Sequence, residues 1–257
     1  MDRKRGVLSH WDKSNLQAGD RPDDDLFLSL LGGPGNKLLQ AGYRQWIGTD
    51  RQRILDVGSG LGRWALYFNR ISPNSQIYAV DFTPSSLART GALLAKHRLP
   101  INYCCADAFH LPFTSESFNL VHSFGLIEDY PNYLDQLAEQ ARVLKPGGRL
   151  VCVTLHKYSW HALYKKLFGQ RYYSFASYEH DFSSQELVLA FQKLGLEKIE
   201  LSYAEPMHRI AAARPTKILQ WLEFNLKRLD VYIEHQLKLP IAKYWSHDIY
   251  IKGDKPF

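Results

Sequence analysis

A glycine-rich stretch, ILDVGSGLGRW at residues 54–64, constrains this chain more than any other feature. An apolar run that contains Asp56 leads into three alternating glycines, Gly58, Gly60 and Gly62, and the residues that follow favour a helix. This order predicts a strand, a tight turn and a helix start. Glycine suits such a turn because it accepts unusual φ and ψ values and lets a ligand approach backbone N–H groups without meeting a Cβ. We therefore expect the turn to hold a ligand.

The residues around the glycines indicate which ligand is favoured. A dinucleotide-binding turn has the order G-x-G-x-x-G, but Arg63 stands where its third glycine would fall. Asp56, two residues before the first glycine, would repel a pyrophosphate and attract a cationic sulfonium. A nicotinamide dehydrogenase is therefore a disfavoured alternative, and a sulfonium cofactor is favoured.

The D-x-G-x-G-x-G order resembles motif I of the class I S-adenosylmethionine-dependent methyltransferases. Further matches follow in that family's order: an apolar strand that ends in Asp81, the segments 106–113 and 117–121, Gly125–Glu128, and 143–150. The ADAFHLPF and SFNLV segments resemble the D-A-x-x-L-P-F and F-D-x-V elements of the ubiquinone/menaquinone methyltransferase-like branch. The resemblance covers residues 53–155, and it is specific because the motifs occur in order.

The resemblance implies S-adenosyl-L-methionine as the cofactor and no metal. Asp81 would bind the ribose hydroxyls, and Asp107 would accept a hydrogen bond from the adenine amino group, although Asp107 could also be only a turn residue. Phe82 would lie against adenine or be an ordinary core aromatic. The cofactor-binding residues that the resemblance implies are Trp11, Asp56, Gly58, Ser59, Gly60, Gly62, Asp81, Phe82, Asp107, Ala108, Ser123 and Phe124.

Strand and helix patterns alternate along the chain, which predicts parallel strands with helices on both faces. The resemblance implies a Rossmann-like three-layer α/β sandwich whose seven-stranded sheet is mostly parallel, with an antiparallel last strand. We predict strands near 53–57, 76–80, 101–105, 118–123, 149–155, 197–203 and 248–252. We predict helices near 37–46, 63–70, 84–97, 131–143 and 183–194, the last of which begins with a capping box at Ser183–Glu186.

The domain organisation follows from where the alternation is interrupted. We expect residues 1–36 to form an N-terminal lid segment in which Trp11 lies over the methionine end of the cofactor, or is an ordinary packing aromatic. Residues 37–257 are expected to form the methyltransferase domain. Two insertions, the aromatic-rich segment 156–182 and the segment 205–245, are expected to form a cap over the acceptor.

A general base is useful if the acceptor is a hydroxyl or an acidic carbon. His156, just past the fifth predicted strand, is the best placed candidate because an imidazole near its usual pKa can take a proton at neutral pH. Glu128, Asp129 and His110 also lie near the ends of the strands. In the related family the residue after the Glu of G-x-x-E is often His, whereas this chain has Asp129, so that histidine's role does not transfer.

The composition and the motifs that are missing restrict the chemical class of the methyl acceptor. A net charge of +6 allows an acidic substrate, an anionic membrane or nucleic acid. The chain lacks the (N/D)-P-P-(Y/F) element expected of an enzyme that methylates DNA bases, so we expect no DNA and a small-molecule acceptor of aromatic or lipid character. The methylated atom, whether O, N or C, stays open. The alternative is a non-catalytic S-adenosylmethionine-binding or partner protein with the same fold.

Location is predicted from the hydropathy pattern. The basic N-terminus is not followed by an apolar signal region, and no run of about 18 apolar residues occurs, so we expect a soluble, cytoplasmic protein. The segment 215–245 has leucines and isoleucines every three or four residues and an excess of Lys and Arg. It could contact a membrane surface peripherally, cover the acceptor pocket, or pack in a homodimer.

Overall fold

The computed structural model describes residues 34–48, 50–159, 178–203 and 246–257, together with positions 162, 163, 165, 166 and 225. The helices in these ranges are α1 (Pro34–Ile47), α2 (Arg63–Ile71), α3 (Pro84–His97), α4 (Tyr133–Val143) and α5 (Ser184–Lys193), with a 3-10 turn at Ile127–Asp129. The strands are β1 (Arg53–Val57), β2 (Gln76–Asp81), β3 (Ile101–Cys105), β4 (Phe118–Phe124), β5 (Leu144–Leu155), β6 (Glu197–Tyr203) and β7 (Asp248–Asp254).

The strands form one seven-stranded sheet in the order β3-β2-β1-β4-β5-β7-β6. The pairs from β3 to β5 are parallel, and β7 runs antiparallel to both of its neighbours. Both the sheet and its antiparallel last strand confirm the predicted fold. Because the first five strands run in the same direction, their carboxyl ends share one rim, where ligands of such sheets bind.

The sheet is covered on both faces because its central strands are apolar on both sides. Leu55 and Val57 face a core that includes residues of α4 and α5, whereas Ile54 faces a second core built with α1 and α2. These residues belong to one strand, and alternate side chains of a strand point to opposite faces. The result is the predicted three-layer sandwich.

Several predicted boundaries shift. The helix predicted at 37–46 begins at Pro34, and the strand predicted at 248–252 continues to Asp254. The strand predicted at 149–155 begins at Leu144, because the pairing with β4 changes register between Phe118 and Leu120 and so accommodates the Pro-Gly-Gly sequence. The helix predicted from residue 131 begins at Tyr133. The capping box is confirmed: the Glu186 N–H donates to the Ser183 hydroxyl, and the Ser183 N–H donates to the Glu186 carboxylate at 2.8 Å.

Several predicted features lie outside the described residues. These are the N-terminal lid segment with Trp11, most of the segment 160–177, and nearly all of the segment 204–245. Within the ranges that the structure does describe, we find no helix with both the length and the apolar character needed to cross a bilayer.

Candidate cofactor site

The glycine turn lies at the carboxyl end of β1, with Gly58, Gly60 and Gly62 all at positive φ, from 53° to 74°. The N–H groups of Gly58 and Ser59 both donate to the Val80 carbonyl at 2.9 Å. We expected these N–H groups to be bare, but they hold the turn against β2. What the turn offers instead is an open surface, because a Cβ built on Gly60 would meet no atom within 4 Å.

The turn also packs against α3, and this contact explains why its last position, residue 62, is a glycine. A Cβ on Gly62 would stand 2.9 Å from the Thr90 methyl carbon, closer than real Cβ contacts, and Gly62 has a φ of 74°. The Thr90 hydroxyl donates to the Gly60 carbonyl at 3.1 Å. Gly62 is therefore required for packing and backbone conformation, while Gly60 is the glycine that leaves space for a ligand.

Asp81 ends β2 and is hydrogen-bonded to the turn. Its Oδ2 accepts from the Gly60 N–H at 2.7 Å, and its Oδ1 accepts from the backbone N–H and the hydroxyl of Thr83. An ionised carboxylate has about four acceptor sites, so capacity remains for ribose hydroxyls. The next residue, Phe82, is 37% exposed although it is aromatic. An exposed ring beside a buried acid is an arrangement in which an adenine base could lie.

Asp107 follows β3 in a tight turn. Its Oδ1 accepts from the Phe109 N–H at 3.0 Å, and its Oδ2 lies 3.8 Å from His110 Nδ1. The Asp107 side chain is 27% exposed, while Ala108 is buried. The Ala106 N–H donates to the Asp81 carbonyl at 3.1 Å, which brings this turn beside Asp81. The residues assigned to ribose and adenine therefore lie close together on the rim.

Asp56 occupies a different position from these two aspartates. It is 2% exposed, its Oδ2 accepts from the Ala65 N–H of α2 at 3.1 Å, and its Oδ1 accepts from His122 Nδ1 at 2.9 Å. Both oxygens are thus hydrogen-bonded inside the protein. Asp56 thereby links β1 to β4 and α2. It can act on a bound cation through its negative charge and not through a direct hydrogen bond.

His122 is a residue that the sequence analysis missed. It is fully buried in the middle of β4, opposite Asp56 in the parallel register, and packs against the rings of Tyr43, Trp64 and Phe68 with centroids 5.1–5.5 Å away. Nothing in the local pattern marks it. Its role becomes apparent only once β1 and β4 are known to be neighbours. Buried Asp56 needs a hydrogen-bond partner, and His122 is the residue that lies opposite it.

Ser123 and Phe124, at the end of β4, are assigned to the cofactor only by resemblance. Ser123 is fully buried and pairs in register with Cys152. Phe124 stacks on Trp64 with centroids 6.0 Å apart. The buried hydroxyls of Ser59 and Ser123 both lack a hydrogen-bond partner in the structure. Of the two, Ser59 is the one in the glycine turn, next to the open face of Gly60.

Glu128 lies in the 3-10 turn after β4 and is buried. Its Oε2 accepts from the Thr154 hydroxyl at 2.8 Å. Burial, reinforced by the neighbouring charge of Asp129, raises the pKa of Glu128 to about 8. The carboxyl therefore keeps its proton at neutral pH, which suits it to donate a hydrogen bond more than to take a proton there.

His156 follows β5 and is 1% exposed. Its Nδ1 lies 3.2 Å from the Ser246 carbonyl, which can only accept, so Nδ1 carries the proton and Nε2 keeps its lone pair. Burial lowers the pKa of His156 below its usual value. It is thus neutral at neutral pH, as a general base must be. In the sheet, β4 separates its strand from the glycine turn.

The residues present fit a cationic adenosyl cofactor. The open face of Gly60, the exposed ring of Phe82 and the unsatisfied Ser59 hydroxyl leave room and contacts for it. The acids Asp56, Asp81 and Asp107 give the rim a negative charge that favours a sulfonium and disfavours a pyrophosphate. In the part of the chain that the structure describes, no group of three or more His, Cys, Asp or Glu residues is arranged to hold a metal ion.

Comparison with known proteins agrees with this geometry. Residues 55–152 match the family model described as a methyltransferase domain. The chain is 35% identical over 100 residues to the demethylmenaquinone methyltransferase of Deinococcus radiodurans, covering 39% of this chain and 42% of that protein. It is 34% identical over 131 residues to the ubiquinone/menaquinone biosynthesis C-methyltransferase UbiE of Paracoccus denitrificans, covering 49% of this chain and 52% of that protein. The matches thus span about half the length of these relatives.

The likeness to solved structures covers more of the chain than the sequence matches do. A chain from the complex between the Haloferax volcanii Trm112 methyltransferase activator and a methyltransferase superposes with a TM-score of 0.69 at 17% identity, covering 98% of each chain. At that identity the likeness concerns the fold alone. The predicted resemblance to class I methyltransferases of the ubiquinone/menaquinone branch is confirmed by the matched domain and the relatives.

Proposed function

We propose that this chain, whose residues 55–152 match the family described as a methyltransferase domain, transfers a methyl group from S-adenosyl-L-methionine to a small aromatic or lipid-like acceptor. The observation that carries the proposal is the pairing of the open glycine turn with Asp81, since the Gly60 N–H donates to that carboxylate at 2.7 Å. This contact puts the open surface and an acid suited to ribose side by side. When bound, the cofactor supplies a methyl group on a cationic sulfur.

The protein's contribution is mainly to hold two reactants in line and to exclude water. Asp81 would orient the ribose, Asp107 the adenine amino group, and the charges of both acids would favour the cation over the neutral product. No covalent enzyme intermediate is needed. The difference in charge also assists release, because the product thioether is no longer attracted.

The name of one relative, a ubiquinone/menaquinone biosynthesis C-methyltransferase, favours a ring carbon of a quinone-type acceptor as the methylated atom. In such a transfer the ring carbon forms a bond to the methyl group, the bond between that methyl group and sulfur breaks, and the ring carbon then loses its proton. His156, neutral and with a free Nε2 lone pair, would take that proton. Glu128, protonated at neutral pH, would donate a hydrogen bond to the ring oxygen.

A two-step experiment tests the proposal. Calorimetric titration with S-adenosylmethionine measures binding, and release of S-adenosylhomocysteine is then measured with a short-chain demethylmenaquinol, a catechol and an aromatic amine. We expect micromolar binding and turnover with the quinol, with the new methyl group on ring carbon by mass and NMR analysis. Binding without turnover over a broad metabolite pool would favour the non-catalytic alternative. Tighter binding of NADH than of S-adenosylmethionine would revive the dehydrogenase alternative.

We further propose that the segment 215–245 gives a lipid-soluble acceptor access from a membrane surface or covers the acceptor pocket. The support is the sequence pattern alone, an apolar stripe with an excess of cations. Sedimentation with vesicles separates the alternatives. Salt-sensitive binding to anionic vesicles supports membrane contact, and no binding at low salt leaves the covering role or a homodimer.

A further inference from the structure

Two aromatic rings meet across the rim of the sheet. The rings of Phe109 and Tyr130 pack edge to face with centroids 5.2 Å apart. Phe109 follows β3, and Tyr130 follows the turn after β4, yet β2 and β1 lie between those strands in the sheet. Adjacent strands are about 4.8 Å apart, so the ends of β3 and β4 are separated by about 14 Å. The two loops therefore bend toward each other past the ends of β2 and β1.

Hydrogen bonds to α4 fix the side of the sheet on which this contact lies. The Leu111 N–H donates to Glu139 of α4 at 2.7 Å, and Arg142 of α4 donates to the Phe113 carbonyl at 2.9 Å. The glycine turn leads instead into α2, which packs on the opposite face. The pair Phe109 and Tyr130, called here the aromatic bridge, thus lies on the α4 side of the rim, across from the glycine turn.

The charges around Tyr130 connect the bridge to the candidate cofactor acids. Tyr130 is 9% exposed, and burial raises the pKa of its hydroxyl, with further contributions from the charges of Asp129, Asp107 and Asp81. The phenol therefore stays protonated. The bridge is also tied to Asp107 directly, because the Phe109 N–H donates to that carboxylate at 3.0 Å.

We propose that the aromatic bridge is the second wall of the cofactor groove and that the Tyr130 hydroxyl donates a hydrogen bond to the adenosine part of the ligand. This inference rests on the proposed function. Its chemical reason is that the side chains of Asp81 and Asp107 can only accept hydrogen bonds, so beyond the backbone N–H that the resemblance assigns to Ala108 the adenine ring nitrogens and ribose oxygens need a further donor. Tyr130 supplies a neutral donor among these acids without removing the negative charge that favours a sulfonium.

The experiment compares Tyr130→Phe and Phe109→Leu with a matched control, Tyr133→Phe. Tyr133 lies three residues further on and packs on Phe182 and His180, whose backbone N–H groups are bonded to the β5 and β4 ends of the rim, not to the Asp81 and Asp107 turns. The probes are S-adenosylhomocysteine and adenosine, measured by titration and by stopped-flow release. Thermal unfolding of each variant checks that it folds.

Tyr130→Phe should weaken both probes by the same factor, about 3- to 10-fold, because a single hydrogen bond to the shared adenosine part is lost. Phe109→Leu should speed release of S-adenosylhomocysteine by about 10-fold, because the wall then opens more easily. Tyr133→Phe should change neither quantity.

Three results would overturn the inference. The first is unchanged affinity in Tyr130→Phe. The second is a loss for S-adenosylhomocysteine without a loss for adenosine, which would move Tyr130 to the methionine end. The third is an equal effect in Tyr133→Phe. Failure of the proposed function is distinguishable. A wild-type protein that binds neither probe has no cofactor site, whereas one that binds both probes but releases no S-adenosylhomocysteine with any acceptor is the non-catalytic alternative, for which the Tyr130 comparison still applies.

Discussion

The two halves of the rim are built differently. At the ends of β1, β2 and β3, the turn, Asp81 and Asp107 are joined by hydrogen bonds within residues 58–110, whereas Asp56 has a distant partner, His122. At the ends of β4 and β5, the contacts come from distant parts of the chain. The Glu128 carbonyl accepts from the His180 N–H at 2.9 Å, and His156 pairs with Ser246. The half proposed to bind the cofactor, called here the binding half, is thus encoded in short motifs. The half proposed to bind the acceptor, called here the acceptor half, depends on distant parts of the chain.

The halves also differ in solvation. In the first half Phe82 and Asp107 are partly exposed, so a ligand can reach them. In the second half Glu128 and His156 are both buried, and burial favours the neutral form of each at neutral pH. A neutral acid and a neutral base in one region can give and take a proton without burying a net charge. The comparison predicts that mutations in the first half change affinity and those in the second change turnover.

The largest expected effect tests the binding half. Gly60→Val should abolish S-adenosylmethionine binding, raising the dissociation constant by at least about 100-fold, because the side chain would fill the open face of the turn and strain a φ of 53°. Gly195→Val is the matched control, since Gly195 also has a positive φ and open space but lies after α5. Normal binding by Gly60→Val would mean that the turn does not hold the cofactor.

The next effect tests the acceptor half. His156→Ala should lower turnover by about 100-fold with little change in cofactor affinity, because a general base is lost while the cofactor contacts remain. His110→Ala, which changes an exposed histidine on the same rim, should leave turnover unchanged. The pKa of His156 is lowered, so activity should persist as the pH falls below the usual histidine value of 6.5 before it declines. A loss of turnover below threefold would make His156 a packing residue.

A smaller effect on affinity is expected at Asp81. Asp81→Ala should weaken binding by about 1.5 to 3 kcal/mol, because charge-assisted hydrogen bonds to the ribose are lost. Turnover at saturating cofactor should change little, in contrast to His156→Ala. Thr83→Ala is the control, since it removes only the hydroxyl that donates to Asp81 inside the protein. A loss of affinity that Asp81→Ala shows and Thr83→Ala does not show is then due to the carboxylate itself. An unchanged dissociation constant in Asp81→Ala would remove the ribose assignment.

The sequence alone predicted most of the sheet and the shared rim. Strands such as β3 and β6 were placed at the observed residues, because alternating apolar patterns and turn residues are local signals. The burial of Asp56 and its pairing with His122 could not be predicted, since β1 and β4 are 61 residues apart in sequence from the end of one to the start of the other and their register is a property of the assembled sheet. The ring contact of Tyr130 and the hydrogen bond of buried Glu128 could not be predicted for the same reason, since each depends on neighbours that the fold brings together.

The smallest effect concerns the stability of the acceptor half. In the unfolded chain Glu128 ionises near pH 4.5, whereas in the folded protein its pKa is about 8. Between these values the folded state binds more protons than the unfolded state, so the free energy of unfolding falls as the pH rises. Glu128→Gln resembles the protonated form and cannot ionise. It should therefore be more stable than the wild type at pH 8, by about 1 to 3 kcal/mol.

Denaturant unfolding at several pH values measures this difference. At about pH 4.5 the folded wild-type protein also has a neutral side chain at position 128, so the two proteins should be nearly equal in stability there. Asp135→Asn is a control, because Asp135 is also an acid in the segment that follows β4 but is exposed, in the first turn of α4. A stability gain in Glu128→Gln that is the same at pH 5 and pH 8 would show that ionisation of Glu128 is not its cause. Glu128 could then no longer be described as protonated at neutral pH, and the contrast between the acceptor half and the binding half would not hold.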